Sequence, residues 1–231
     1  MLTLIVDSSS RQSSAIIAKN GQLAAIVSAY RSPIQTLHSN IMSALGLACA
    51  SLADVTLIAV VHGPGSWTGI QTGVTTARTL AQVLNVPLLP ISKLHALAAT
   101  VSAGQGKIGA MIDARHGFVY SGAYSCQGRA LKVLLEGKKR PVERFISEFV
   151  ALPGDTLFVG NGVGAYQADI SSAFRDGARW ELLEEAHPEA LCRLATEGSH
   201  DALEGEDRFS FTPLYMLAEG DGPKPFEGPG R

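Results

Sequence analysis

Apolar positions along this chain fall into strand-length runs and helix-spaced stripes, separated by glycine, proline and asparagine. Leu2 to Val6 is a short apolar run with the length of a buried strand. Ser14 to Lys19 and Gln22 to Val27 flank Asn20-Gly21, a pair that supplies the positive φ of a tight hairpin turn. Leu37, Ile41, Leu45, Ala48 and Leu52 recur at three- and four-residue spacing and predict a helix over Thr36 to Leu52. A second buried strand is expected at Val55 to Val61, then a glycine-rich loop and a helix from about Gly69 to Leu84. Pro87 to Pro90 reads as a short strand, and Ser92 stands where it would cap a helix running through Ala99.

Ser102-Ala103-Gly104-Gln105-Gly106 interrupts the pattern. Strands resume at Lys107 to Ile112, Gly117 to Tyr124 and Leu131 to Leu135, followed by a helix near Val142 to Phe149 and a strand at Thr156 to Val159. Past Asn161-Gly162 the only clear signal is helical, at Glu189 to Thr196. Residues 219–231 carry four glycines and three prolines, the composition of a flexible tail. The expected organisation is one unit over 1–103, a second over 104–218 whose end returns to the first, and the tail.

Charge changes this picture. Residues 32–106 carry three formal charges, Asp54, Arg78 and Lys93, whereas residues 107–231 carry 33. Helices with an uncharged outer face are normally covered on more than one side, which points to a protein interface; a neutral, Ser/Thr/Gln-rich solvated face is the alternative. Gly69, Gly73, Ala77 and Ala81 add a stripe of small side chains that would let another helix approach closely, either a partner's or one of the chain's own.

The formal net charge of −2 lacks the basic excess expected of a protein that grips tRNA alone; only Lys138-Lys139-Arg140 forms a local cationic run. Cys49, Cys126 and Cys192 are odd in number, far apart and in no CxxC pair, which fits a reducing cytosol and argues against a zinc site. The start has no basic leader, and no apolar run reaches membrane-spanning length.

Candidate chemistry is sparse. Gly63-Pro64-Gly65-Ser66-Trp67-Thr68-Gly69 follows a strand and opens a helix, where backbone N–H groups can hold an anion. No Gly-Lys-Ser/Thr closes it, and it misses GxGxxG by one residue, so a rigid turn and a phosphate cradle remain open alternatives. Gly63, Gly65 and Ser66, with Asp7 and Ser8 at the end of the first strand, are the nucleotide or phosphate candidates. Asp7 would hold a hydrated metal or cap its own turn. The six histidines make no HxxxH or HExxH pair, and there is no GxSxG elbow.

The stretch GPGSWTGIQTGVTTARTLAQVLNVPLLPIS strongly resembles the TsaB/YeaZ family pattern. Supporting segments follow in order: Leu2 to Ser9, Leu37-His38-Ser39, Asp113-Ala114-Arg115-His116-Gly117-Phe118-Val119-Tyr120, Gly160-Asn161-Gly162 and Thr212-Pro213-Leu214-Tyr215. The resemblance implies an α/β fold of the actin-like class (acetate kinase, sugar kinase, heat-shock chaperone, actin), with two lobes of mixed sheets flanked by helices. It implies a non-catalytic scaffold for a TsaD-type transferase that places threonylcarbamoyl on adenosine 37 of tRNAs reading codons beginning with adenine. A TsaE-type ATPase would join them. The chain itself would need no cofactor, ATP and metal belonging to its partners. Alone it would form a homodimer in the cytoplasm, and it would meet tRNA only within the complex. An actin-like ATPase or a glycoprotease-type peptidase is the alternative. On this reading Leu37, His38, Ile41, Met42, Leu45, Gly69, Gly73 and Ala77 form the partner interface. Gln71 replaces a common arginine. Lys93 and Leu97 occupy the two positions of the transferase's His-x-x-x-His metal pair, and neither can replace an imidazole at a transition metal.

Overall fold

The computed structural model describes residues 1–174 and 177–213. The tail over 219–231 and two residues of the closing motif, Leu214 and Tyr215, lie outside the described residues.

The chain builds the same sheet twice. The first contains β1 (Leu2–Asp7), β2 (Ser13–Lys19) and β3 (Gln22–Ala29). After α1 (Pro33–Leu47) come β4 (Leu57–Val61), α2 (Trp67–Leu84) and β5 (Leu88–Ile91). The strand order is β3-β2-β1-β4-β5, antiparallel through β1–β3 and parallel through β1, β4 and β5. Next comes α3 (Lys93–Val101). The second sheet contains β6 (Gln105–Asp113), β7 (Phe118–Gln127) and β8 (Ala130–Pro141). Then follow α4 (Val142–Val150), β9 (Thr156–Val159), α5 (Asn161–Ala165), α6 (Gln167–Phe174) and β10 (Ala178–Glu181). Its order, β10-β9-β6-β7-β8, repeats the first with the same mixture of pairings. The chain continues in α7 (Pro188–Glu197) and the short α8 (Asp207–Ser210).

Packing is layered. Leu4, Val6, Ile17 and Val60 meet α1 and α2, through Leu37, Ile41, Ala44, Ile70, Val74 and Ala77. The alternate strand residues Ile5, Ile16, Ala59 and Val61 face the other way, onto Ala96 of α3 and Leu191, Cys192 and Ala195 of α7. A strand covered on both faces needs apolar residues at every position, which is why β1 reads as a continuous run rather than an alternation. In the second half Phe145, Phe149 and Phe158 fill the space under α4, with Phe149 and Phe158 centroids 4.8 Å apart. Leu94 and Leu97 of α3 pack on the inner face of the second sheet. Thus α3 and α7 lie between the two sheets, with α1 and α2 outside the first. This is the α/β, actin-like arrangement that the resemblance implies.

Several boundaries move for local reasons. Helix α1 begins at Pro33, whose missing N–H costs nothing at a first helical turn, and stops at Leu47, not Leu52. Cys49 takes a left-handed φ of 48°, and Leu52 starts a separate 3-10 turn closed by Ser51 and Asp54. Helix α2 begins two residues before Gly69 because Ser66 Oγ accepts the Gly69 N–H at 3.3 Å. Ser92 holds the N-cap position of α3 but makes no side-chain cap there. Strand β8 runs six residues past Leu135. The cationic run on it is no open patch: Arg140 is buried and paired with Glu148, and Lys139 lies over the Phe118 ring.

The small-residue stripe of α2 faces inward. A Cβ on Gly69 would sit 1.9 Å from the Ser8 carbonyl oxygen, and one on Gly73 would sit 2.4 Å from Ser8 Oγ. Gly69, Gly73, Ala77 and Ala81 are therefore spent on contact with the chain's own first sheet, not on a partner. Gly46, by contrast, has nothing within 4 Å of its added Cβ. Gly69→Ala is expected to destabilise the fold by about 1–3 kcal/mol or more, because backbone must move. Gly46→Ala should stabilise it by up to about 1 kcal/mol through helix propensity. Chemical denaturation of both variants checks this; a neutral Gly69→Ala would contradict the close approach.

Candidate functional site

Two regions collect the residues singled out by sequence: the floor of the cleft between the sheets, and the outer face of α1 and α2. The floor is built by strand ends. Strand β1 delivers Asp7-Ser8-Ser9-Ser10, β4 delivers Gly63-Pro64-Gly65-Ser66, and β5 delivers Lys93 at the start of α3. The opposite wall repeats this arrangement. Asp113 ends β6, and Asn161 follows β9 and accepts the Asp113 N–H at 3.0 Å. The cleft holds about 400 Å³ between Ser9, Gly65 and Ser66 on one side and Asp113, Arg115 and Asn161 on the other.

At the bottom lies a buried charge cluster. Lys93 Nζ is 3.0 Å from Asp7 Oδ2 and 2.7 Å from Glu185 Oε2, with only 2% of its side chain exposed. The second oxygen of Asp7 accepts from the N–H and Oγ of Ser9, and Ser10 Oγ donates to Glu185. Burial alone would lower the Lys93 pKa; Asp7 and Glu185 outweigh it and hold the ammonium above its ordinary value. Burial and the neighbouring Asp7 charge push Glu185 above the usual carboxylate range, since one cation cannot fully neutralise two anions.

Several polar groups of the phosphate candidates bond within the chain, while Gly65 and Ser66 also line the cleft. The Ser66 N–H donates to the Ser9 carbonyl at 2.6 Å, and the Gly63 carbonyl accepts from the Lys93 N–H at 2.7 Å. Ser8 Oγ donates to the Gly69 carbonyl at 2.8 Å. A Cβ on Gly65 would lie 2.0 Å from the Ser9 carbonyl oxygen. These contacts tie the loop to the end of β1 and the start of α3. Asp7 both closes its own turn and neutralises Lys93. His62, next to this loop, has its pKa lowered to about 4 by burial. Among the described residues no three His, Cys, Asp or Glu side chains gather where they would hold a metal ion.

On the other region the sequence reading needs correction. Leu37, Ile41 and Leu45 are buried against the first sheet, like Gly69, Gly73 and Ala77, and cannot face a partner. His38 and Met42 do face outward. They belong to a different stripe, Ile34-His38-Met42-Gly46, one turn apart and exposed throughout, with Ile34 71% and Met42 47% exposed. Trp67 and Val83, near opposite ends of α2, are exposed as well. The sequence signal that would have found this stripe is the second four-residue repeat, offset from the Leu37 repeat. Glu185 and Ser10 carry no comparable signal, because 175 residues separate them.

The family described as TsaD: tRNA N6-adenosine threonylcarbamoyltransferase matches residues 27–190. The chain is 32% identical over 117 residues to the tRNA threonylcarbamoyladenosine biosynthesis protein TsaB of Bacillus subtilis, covering 51% of each. It is 29% identical over 175 residues to the protein of that name from Escherichia coli, covering 72% of each. The solved structure of YeaZ from Pseudomonas aeruginosa superimposes with a TM-score of 0.78 at 26% identity, over 93% of this chain and 99% of that one.

The chain belongs to this family, within its TsaB/YeaZ group.

The match to the Bacillus relative spans about half of that protein's length, whereas the likeness to the Pseudomonas structure spans nearly all of both chains. A ROK hexokinase from Thermus thermophilus, 12% identical with a TM-score of 0.50, shares the fold alone. This TsaB/YeaZ-family chain thus carries the cleft of an actin-like fold with its floor filled by Lys93. No helix among the described residues is long and apolar enough to cross a membrane.

Replacing Lys93 by Met would leave the buried Asp7 carboxylate facing the half-buried Glu185 carboxylate with no cation between them. The expected cost at pH 7 is about 3–5 kcal/mol. Because the unpaired carboxylates would bind a proton more tightly folded than unfolded, the deficit should shrink as pH falls from 7 toward 5. Wild-type stability from Lys93 is fully present below its ordinary pKa near 10.5 and is lost as pH rises through the raised value. Melting both proteins across pH 5–8 tests this; a deficit that does not change with pH would show that the cluster's charge is not what stabilises the floor.

Proposed function

We propose that this chain acts in the biosynthesis of threonylcarbamoyladenosine in tRNA as a non-catalytic scaffold. Its outer α1/α2 face docks a TsaD-type transferase. The family membership supports the pathway, and the names of the Bacillus and Escherichia relatives carry the same reaction. The observation that carries the scaffold reading is the exposed outer stripe Ile34-His38-Met42-Gly46 of α1. It is an uncharged, partly apolar surface on the outermost helical layer, a face that water covers poorly and a second helical layer covers well.

On this reading a TsaE-type ATPase joins the pair, and the product lies on adenosine 37 of tRNAs reading codons beginning with adenine. The partners supply ATP, metal and most of the tRNA contact, and the protein works in the cytoplasm. Alone, two copies would cover the same face in a homodimer. Lys93 on Asp7 and Leu97 in the core support the absence of a metal pair of its own. The alternative, a nucleotide-cleaving or peptide-cleaving enzyme, would have to work in the 400 Å³ cleft without the Ser66 N–H or the Asp7 carboxylate, both already engaged.

Met42→Lys puts a charge in the middle of the outer stripe without touching the core. The expected result is at least a tenfold loss of affinity for a TsaD-type partner, and loss of self-association, at an unchanged melting temperature. Ile34→Asp should behave alike. Size-exclusion with light scattering and calorimetric titration read both. Wild-type association by folded variants would remove this face from the interface, and nucleotide turnover by the purified chain alone would favour the enzyme reading.

A further inference from the structure

Two segments carry the chain between its halves: Ser102 to Gly104, between α3 and β6, and Leu182 to His187, between β10 and α7. In the second, the packing changes sides within four residues. Leu183 packs with Leu94, Ile108 and Val159 on the inner face of the second sheet, and Ala186 packs with Ile5, Ile16 and Ala59 of the first. The two crossings are built differently. The first carries Gly104 at a φ of 97°, with nothing within 4 Å of an added Cβ, so its backbone has room to turn. The second is pinned before, within and after its length. The Glu181 carbonyl accepts from the Gly160 N–H at 3.2 Å, and the His187 N–H donates to Thr100 Oγ1 at 3.0 Å.

Glu185 is the pin between them. Its Oε2 accepts from Lys93 Nζ at 2.7 Å and its Oε1 from Ser10 Oγ, so both carboxylate oxygens are bound to the first half. Lys93 is itself fixed twice, by Asp7 at its ammonium and by the Gly63 carbonyl at its N–H. Charge-assisted bonds at a mostly buried floor are held far more firmly than exposed pairs. Higher up, the walls of the cleft bond within their own halves. Ser9 and Ser66 bond to each other and to Asp7 and Gly69. Asp113 bonds to Asn161, Arg115 and Tyr166. A joint that can turn at one crossing and is pinned at the other has its angle set at the pin.

We propose that Glu185 is a clasp that fixes the aperture of the cleft. Closed, it holds the walls of the 400 Å³ space at one separation. Released, it lets the halves pivot about the glycine crossing and the walls part. Helix α3 stays with the first half, through Lys93 and Ala96, while its Leu94 and Leu97 shift on the second sheet. The clasp is independent of what covers the α1/α2 face.

Spin-label distances on the full chain test this. Thr68→Cys, in the first turn of α2, and Ala165→Cys, at the end of α5, place labels at exposed positions behind opposite walls. Cys49→Ser removes the exposed native thiol, and Cys126 and Cys192 are buried. With Glu185 in place, a single narrow distance distribution is expected. Glu185→Ala, which removes both bonds, should broaden it and move it to longer distance. Glu185→Gln, which keeps the shape and loses the charge, should do so to a smaller extent. Ser10→Ala leaves Lys93 paired and decides the matter, with Glu185→Gln, if Glu185→Ala does not fold. A carboxylate that only stabilised the floor would lower the melting temperature and leave the distances where they are. A folded Glu185→Ala with the wild-type distribution therefore overturns the clasp. So does the wild-type distribution in both milder variants, or a broad distribution in the wild-type chain.

Discussion

One ammonium holds the centre of this molecule. Lys93 starts the helix between the sheets, and its Nζ lies between Asp7, at the end of the first strand, and Glu185, after the last strand of the second sheet. An unpaired buried charge costs several kcal/mol, so the three groups must meet or none can stay where it is. Their meeting fixes the end of β1, the start of α3 and the return of the chain toward α7 at a single point. The glycine loop after β4 is then tied to the same place, through the Lys93 N–H on the Gly63 carbonyl and the Ser66 N–H on Ser9.

That constraint decides what the cleft is available for. The repeated sheets bring two equivalent sets of strand ends face to face, the arrangement that actin-like folds use to enclose a ligand. Here the first set is occupied from within. Carboxylate, hydroxyl, carbonyl and N–H groups that would hold a phosphate or a metal are hydrogen-bonded to one another. These internal bonds tie the ends of β1 and β4 to the start of α3.

The division between inner and outer faces also explains the odd charge distribution. Residues 32–106 supply α1, α2 and α3 together with two fully covered strands. Helix α3 lies between two sheets and has no solvent face to charge. Helices α1 and α2 do have one, and it is poor in charge: the charged residue on these two helices is Arg78, half-buried and donating to the Phe211 carbonyl. Water covers the threonines of α2 well and the exposed Ile34 and Met42 of α1 poorly, and this is the face to which the proposed function assigns a partner.

Much of this was legible in the residues. Strand runs, the Asn20-Gly21 turn and helix stripes depend on contacts a few residues apart, so local pattern determined nearly every element up to β9. The α/β class and the family motifs followed from the same string. The poorer stretch beyond Asn161 holds short helices and a four-residue strand, too brief for a period to show. Which side of each helix faces inward was not legible. The small stripe of α2 and the leucine stripe of α1 looked equally fit for a partner. Only the placement of Ser8 and β1 beneath them used those faces internally and left the offset stripe, with His38 and Met42, outside. Nor could any spacing join Ser10 to Glu185, or Arg193 to the end of α3. Those contacts exist because two sheets stack on one helical layer, and distance in space, not along the chain, sets which charges must neutralise each other.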